Sequence, residues 1–229
     1  MENVTNTDTK VEKLANISII VPCFNEQDVI DSYYNELTLS VSNLNHIQFE
    51  FIFIDDGSTD KTLEKLIKLS SNSRHVRIIE LSRNFGKEAA LTAGIDRCDS
   101  DAAIFMDADL EHPPEIIEQM ITSWEEGFDI VLAKREDRSE ESFIKKFTSN
   151  NFYKFFNNIS DTKIIPDVGD FRLMNKVSLD AVKSLKERQR FMKGILSWVG
   201  FKHTTITFKV NKRSKGRTKF SLFKLWKLA

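Results

Sequence analysis

An α/β sheet covered by helices on both faces is the fold this sequence predicts, and three observations predict it. Short apolar runs rich in β-branched residues recur at 17–21, 49–54, 76–81, 102–106 and 130–133. Segments of helical period lie between them. The acidic and turn-forming residues cluster just after the runs, which in open α/β sheets is where ligands bind.

The elements follow in order. Ile17-Ser18-Ile19-Ile20-Val21 reads as a strand, and Pro22, lacking the N–H a ladder needs, is expected to end it. Asn25 is placed to cap the next helix, with Glu26 and Asp28 complementing the helix dipole in its first turn. The apolar run 49–54 ends in the turn Asp55-Asp56-Gly57-Ser58. From Thr59 a helix is expected with Leu63, Leu66, Ile67 and Ser70 on one face.

A third strand at 76–81 leads through Ser82-Arg83-Asn84-Phe85-Gly86 into an alanine-rich helix near 87–97. The fourth, 102–106, runs straight into Asp107-Ala108-Asp109-Leu110-Glu111-His112-Pro113-Pro114. The prolines suit the start of a helix reaching about Glu126. A fifth strand, 130–133, ends near Arg135.

After Arg135 the rhythm stops. Residues 136–141 form a charged connection, and Phe143, Phe147, Phe152, Phe155 and Phe156 mark an aromatic helical stretch suited to packing, or alternatively to a lipid-facing surface. Asp167-Val168-Gly169-Asp170-Phe171-Arg172 is a turn entering a strand. Arg190 and Trp198 lie on or after another helix, and 202–210 alternates as an edge strand does. The stretch from Phe220 to Leu228 reads as a basic amphipathic helix suited to an interface.

Composition bounds the function. With 229 residues, 41% of them hydrophobic, the chain can bury the core of one domain with an appendage. A net charge of −1 conceals an asymmetry: from Arg188 onward there are twelve Lys or Arg and no acid. A basic end on an acidic body points to an anionic partner, either a membrane surface, a lipid phosphate or nucleic acid. No nucleic-acid-binding motif accompanies it, so nucleic acid is not expected. Two cysteines, Cys23 and Cys98, make no disulfide framework and point to a reducing compartment. Residues 1–16 lack the apolar core of a secretory signal, and no run approaches the ~18 apolar residues of a membrane span.

Asp107, Asp109 and Glu111 offer oxygen ligands alone, which suits Mg²⁺ or Mn²⁺ better than Zn²⁺. Such ions share themselves with substrate phosphates. The competing reading of a lone D-x-D is a solvated acidic loop, but Asn25-Glu26, Asp55-Asp56 and Arg135 are all expected at the same sheet rim.

The ordered set Val21-Pro22-Cys23-Phe24-Asn25-Glu26, Asp55-Asp56-Gly57-Ser58, Ser82-Arg83-Asn84-Phe85-Gly86-Lys87, Asp107-Ala108-Asp109, Gly169-Asp170-Phe171-Arg172 and Arg213-Ser214-Lys215-Gly216-Arg217-Thr218-Lys219 resembles the family 2 glycosyltransferases. It is most similar to those that use polyprenyl phosphate. The resemblance implies a nucleotide-sugar-binding mixed sheet of the GT-A type, flanked by helices and followed by the basic amphipathic segment. It implies a polar tail at 1–16, a catalytic domain at 17–210 and an acceptor-phosphate segment at 211–229.

By that resemblance Pro22, Asn25, Glu26 and Asp56 line the nucleotide pocket, and Asp107, Ala108 and Asp109 meet the donor diphosphate. Asp107, Asp109 and Glu111 hold the metal, Glu111 standing where the family often has Gln. Asp170 is the candidate base. A phosphate monoester, with a second pKa near ~6, needs little deprotonation, so Asp170 is expected to orient and to balance cations such as Arg172. Arg135 is a candidate cation for the leaving group. Arg213, Lys215, Arg217, Thr218 and Lys219 form a phosphate grip, with Gly216 letting the backbone approach.

The expected reaction is a metal-dependent, inverting transfer of a hexose to polyprenyl phosphate at the cytoplasmic membrane face. UDP-glucose is the first choice of donor, with GDP-mannose and UDP-N-acetylhexosamine open, as is assembly into a homo-oligomer. Polyprenyl-phosphate members usually continue into transmembrane helices, so the chain is expected to be a portion of a longer protein. The rival readings are transfer to a saccharide hydroxyl, an anionic-polymer-binding module, and a nucleotide-sugar binder without turnover.

Overall fold

In the computed structural model, residues 14–109, 112–136, 168–185 and 200–209 are described. Inside the sheet lies β1 (Ala15–Cys23), five consecutive residues of which, Ile17 to Val21, are buried. It pairs in parallel with β2 (Ile47–Asp55) on one side and β4 (Ala102–Phe105) on the other. Outside β2 lies β3 (Val76–Glu80), also parallel. Strands buried on both faces need no polar alternation, which is why β4 and the buried stretches of β1 and β2 are so largely apolar.

Beyond β4 the direction reverses. β6 (Val168–Asn175) is antiparallel to β4 and to β5 (Ile130–Arg135), while the edge strand β7 (His203–Phe208) runs parallel to β5. The sheet order is β3-β2-β1-β4-β6-β5-β7. Because β6 runs backwards, its first residues share a rim with the last residues of the parallel strands.

Helices α1 (Ile30–Val41), α2 (Thr62–Asn72) and α4 (Ile116–Glu125) cover one face. Ile17, Ile19 and Val21 meet Tyr33, Leu37 and Met120 in the core on that side. Helices α3 (Lys87–Arg97) and α5 (Lys176–Ser184) cover the other, where Ile20, Ile52 and Ile54 join Ala90, Ile95, Leu179 and Val182. Burying an aliphatic side chain of this kind contributes roughly 1.5–3 kcal/mol. Gly94 lets α3 sit close: a Cβ there would stand 2.6 Å from Ile20 Cγ2 and 3.0 Å from Ile54 Cδ1. Asn175 caps α5, its side chain accepting the N–H of Ser178 at 2.9 Å.

The predicted α/β class holds, and three local expectations do not. β1 continues through Pro22 to Cys23. Alternation turns the Pro22 nitrogen toward β4, whose pairing has already stopped at Ile20 and Phe105, so no ladder bond is lost. Asn25 does not cap α1, which starts at Ile30 after Val29. On α2, Ile67 is 52% exposed and Leu66 is the apolar residue fully buried. α5 is an element that the sequence pattern does not announce. The aromatic stretch 143–156, Glu111, Arg190, Trp198 and the segment 211–229 lie outside the described residues. Among the described residues no helix is long and apolar enough to cross a membrane.

Candidate active site at the carboxyl rim

Three turns build one wall of the site. Asn25 has a left-handed backbone, φ 55°, a conformation asparagine tolerates better than most residues. The turn is pinned across the sheet: Asn25 N–H donates to Ser58 Oγ at 3.0 Å, and Asn25 Oδ1 accepts the Thr59 N–H at 2.8 Å. Glu26 N–H donates to Thr62 Oγ1 at 2.8 Å. Asp60 joins the same lattice, accepting from Thr62 N–H at 2.9 Å and Gln27 N–H at 3.3 Å. Although partial burial works to raise the Asp60 pKa, these hydrogen bonds, Thr62 foremost, hold it below its ordinary value.

Asp56 is buried. Its two carboxylate oxygens accept the N–H groups of Phe85 at 2.8 Å and Gly86 at 2.9 Å, so it ties the end of β2 to the entry of α3. Gly57, φ 65°, lies beneath the same loop, and a Cβ there would meet Arg83 C at 2.3 Å. Pro22, Asn25, Glu26 and Asp56 therefore line a common edge.

The opposite wall is charged. Asp107 follows β4 directly, Ala108 is buried and Asp109 is partly exposed. Lys87, first residue of α3, places its ammonium 2.6 Å from Asp107 Oδ1, 2.8 Å from Asp107 Oδ2 and 2.6 Å from Asp170 Oδ2. Desolvation works to lower the Lys87 pKa, but the Asp107 and Asp170 carboxylates outweigh it and raise it well above the ordinary lysine value. Lys87 is a fixed cation.

Asp170 reaches this cluster because β6 runs backwards. Two residues on and on the same face, buried Arg172 lies 3.5 Å from Asp170 Oδ1 and donates to the carbonyls of Gly169 at 2.6 Å and Asp170 at 3.2 Å. Burial pulls the Arg172 pKa down, with Asp170 and Glu88 opposing the fall. Asp170 thus balances two cations. His112, at the far end of the acidic turn, packs on Phe171 and Phe208 at ring separations of 4.9 and 5.6 Å, anchoring the chain after Asp109 to β6 and β7.

Arg135 ends β5 at the same rim, exposed, and makes no ion pair with an acid among the described residues. Glu111, Arg213, Lys215, Arg217, Thr218 and Lys219 lie outside the described residues. Sequence reasoning passed over Lys87 as a site residue, although it stands in one of the motifs. Its partners come from β4 and β6, and the signal for that meeting is strand order, which local pattern does not carry.

Among the described residues, Asp107 and Asp109 supply hard oxygens, and no group of three or more His, Cys, Asp or Glu gathers into a complete metal cage. That donor set suits Mg²⁺ or Mn²⁺, which take one or two carboxylates and complete their shell with water and substrate phosphate. The Lys87 ammonium across both Asp107 oxygens shows directly that this position accepts a cation.

The sheet order and its covering helices are those of the GT-A fold. Two solved structures share it: a mannosyltransferase of Pyrobaculum calidifontis in complex with GDP-Man and Mn²⁺ (TM-score 0.58, 14% identity, 89% of this chain and 59% of that one) and a glucosyl-3-phosphoglycerate synthase of Mycobacterium tuberculosis in complex with Mn²⁺, UDP-Glc and phosphoglyceric acid (TM-score 0.57, 17%, 93% and 75%). The profile of glycosyl transferase family 2 matches residues 18–182, and the chain belongs to that family.

Curated relatives are much nearer in sequence. An uncharacterized glycosyltransferase of Synechocystis is 45% identical over 213 residues, 93% of this chain and 67% of the relative. A prophage bactoprenol glucosyl transferase homolog of Escherichia coli is 44% identical over 93% of this chain and 69% of its own length. The bactoprenol glucosyl transferase of Shigella phage SfX is 43% identical, with 93% and 70% covered. The chain spans about two thirds of the length of these relatives.

Proposed function

We propose that this chain is the catalytic part of a metal-dependent, inverting glycosyltransferase that moves a hexose, first choice glucose from UDP-glucose, onto polyprenyl phosphate at the cytoplasmic face of the membrane. The observation that carries the sugar and the lipid acceptor is the 43–44% identity, over 93% of this chain, to proteins named for bactoprenol glucosyl transfer. The rim geometry supports the same reaction class.

In this reading Pro22, Asn25, Glu26 and Asp56 receive the nucleoside, and Asp107, Ala108 and Asp109 face its diphosphate. Asp107 and Asp109, with Glu111, hold Mg²⁺ or Mn²⁺, which when bound offsets negative charge on the departing diphosphate. An acceptor phosphate oxygen forms the new bond to the anomeric carbon as the bond to the nucleoside diphosphate breaks, a single displacement that inverts the centre. The phosphate is largely ionised at neutral pH, so the proton demand is small. Asp170 then serves to hold Lys87 and Arg172 in place, two cations at the rim where the two phosphates must approach each other. Arg213, Lys215, Arg217, Thr218 and Lys219 grip the acceptor phosphate, and their charge draws the domain to an anionic membrane surface. Arg135 stands at the rim as a further cation.

The test is to incubate the protein with radiolabelled UDP-glucose, GDP-mannose or UDP-N-acetylglucosamine, Mn²⁺ or Mg²⁺ and polyprenyl phosphate, then to extract the lipid. Lipid-borne label from UDP-glucose, lost on chelation and in D107A, is the expected result. Silence with every donor, in this chain and in a version extended to the length of its relatives, overturns the proposal, and label on a saccharide instead reassigns the acceptor.

A further inference from the structure

Lys87 occupies the position that the proposed divalent ion would use. Its ammonium straddles Asp107, 2.6 and 2.8 Å from the two carboxylate oxygens, and simultaneously touches Asp170 at 2.6 Å. The lysine is not a loose surface cation that happens to fall there. Gly86, the residue before it, takes a backbone conformation of φ 97° and hangs by its N–H from buried Asp56. The first turn of α3 is thereby aimed at the ends of β4 and β6.

Without such a cation the ends of β4 and β6 would bring the Asp107 and Asp170 carboxylates together. Like charges at this spacing repel, so a resident ammonium stabilises the rim when no substrate is bound. A divalent ion asks for the same Asp107 oxygens, and an ammonium seated across both blocks a bidentate approach and repels the ion by its like charge. The ion gains its full hold on Asp107 as Lys87 withdraws. A nucleotide diphosphate changes that balance twice: its oxygens complete the metal's shell, and its negative charge offers Lys87 a new partner.

We infer that Lys87 is a positioning residue that competes with the divalent ion for Asp107 and so makes metal binding depend on the nucleotide diphosphate. This inference rests on the metal-dependent reading above and adds an order to it: the ion is held weakly by the empty site and tightly together with the donor. Lys87 is then released onto phosphate oxygens, where it remains tethered to Asp170. By linkage, whatever the diphosphate gains from metal, the metal gains from diphosphate, and Lys87 sets part of that coupling.

The experiment is a Mn²⁺ titration followed by electron paramagnetic resonance or calorimetry, without nucleotide and with UDP-glucose, on the wild type, K87M and K87Q. K87Q keeps a polar side chain beside Asp107 without the charge and serves if K87M loses its fold. The expected result is that the uncharged variants bind Mn²⁺ alone on the order of tenfold more tightly than the wild type, the scale of one charge-assisted hydrogen bond. The enhancement that UDP-glucose confers on Mn²⁺ binding shrinks in the same variants. Uncharged variants that bind Mn²⁺ alone no tighter than the wild type overturn the role of Lys87, while the metal-dependent reading stands if the wild type binds Mn²⁺ with UDP-glucose. Absence of Mn²⁺ binding in the wild type even with UDP-glucose overturns both.

Discussion

Asp56 and Gly86 are joined by a hydrogen bond of 2.9 Å from the glycine N–H to the carboxylate, and the other carboxylate oxygen accepts the N–H of Phe85 at 2.8 Å. One buried acid at the end of β2 thus sets the start of α3, and with it the residue that bridges Asp107 and Asp170. The edge that Asp56 shares with Asn25 and Glu26 and the charged wall are one mechanical unit.

Replacing Asp56 by Asn should reveal this. An amide presents a single acceptor oxygen, and its NH₂ would face an N–H that has lost its partner. D56N is expected to cost about 1–3 kcal/mol in urea denaturation as well as weakening UDP-glucose binding. Unchanged stability with weakened binding would assign Asp56 to the nucleotide alone.

Gly57 is a second point of contact between the same two loops. Its φ is 65°, and a Cβ added to it would stand 2.3 Å from Arg83 C, so G57A meets backbone that cannot swing aside. A loss of at least about 2 kcal/mol is expected, together with weaker donor binding, because the Arg83–Gly86 loop must move. Thermal melts and UDP-glucose titrations of G57A check both parts.

Tyr33 is fully buried, and its hydroxyl has no hydrogen-bond partner among the described residues. Burial, then Cys23, Asp107 and Asp109, raise its pKa well above the ordinary phenol value, so it stays protonated. Y33F keeps the ring packing against Phe53 and removes the stranded hydroxyl. We expect a gain of about 1 kcal/mol in unfolding free energy, read by chemical denaturation; a loss of similar size would give the hydroxyl a structural role.

Asp60 supplies the pH dependence. Its folded pKa lies below the unfolded value, so the stabilisation is present in full above about pH 4 and is lost as the pH falls through the folded value. D60N is expected to be less stable than the wild type at pH 7, with the gap closing toward pH 2. Denaturation curves at pH 7, 4 and 2.5 decide this, and a gap that stays constant would contradict it.

Much of the fold was legible because strands and helices announce themselves locally. The largely apolar runs of β1, β2 and β4 read as strands buried on both faces, and the acids after β4 had to emerge at their carboxyl rim. Pro22 and Asn25 misled for a common reason. Proline forbids a ladder bond and asparagine favours a cap, but whether a neighbour strand is there to miss the bond, or a loop there to take the side chain, depends on distant residues.

The sequence by itself thus determined the alternation of elements, the oxygen-only acids at Asp107 and Asp109, and membership of the family. Only the tertiary structure decided what stands beside them. The reversed direction of β6 carries Asp170 to the rim, and the seat of α3 carries Lys87 between it and Asp107. Hydrophobic period encodes which face of a segment is buried; strand order and direction arise from how all the faces are covered at once, so the pairing of these charges exists only after the sheet has assembled.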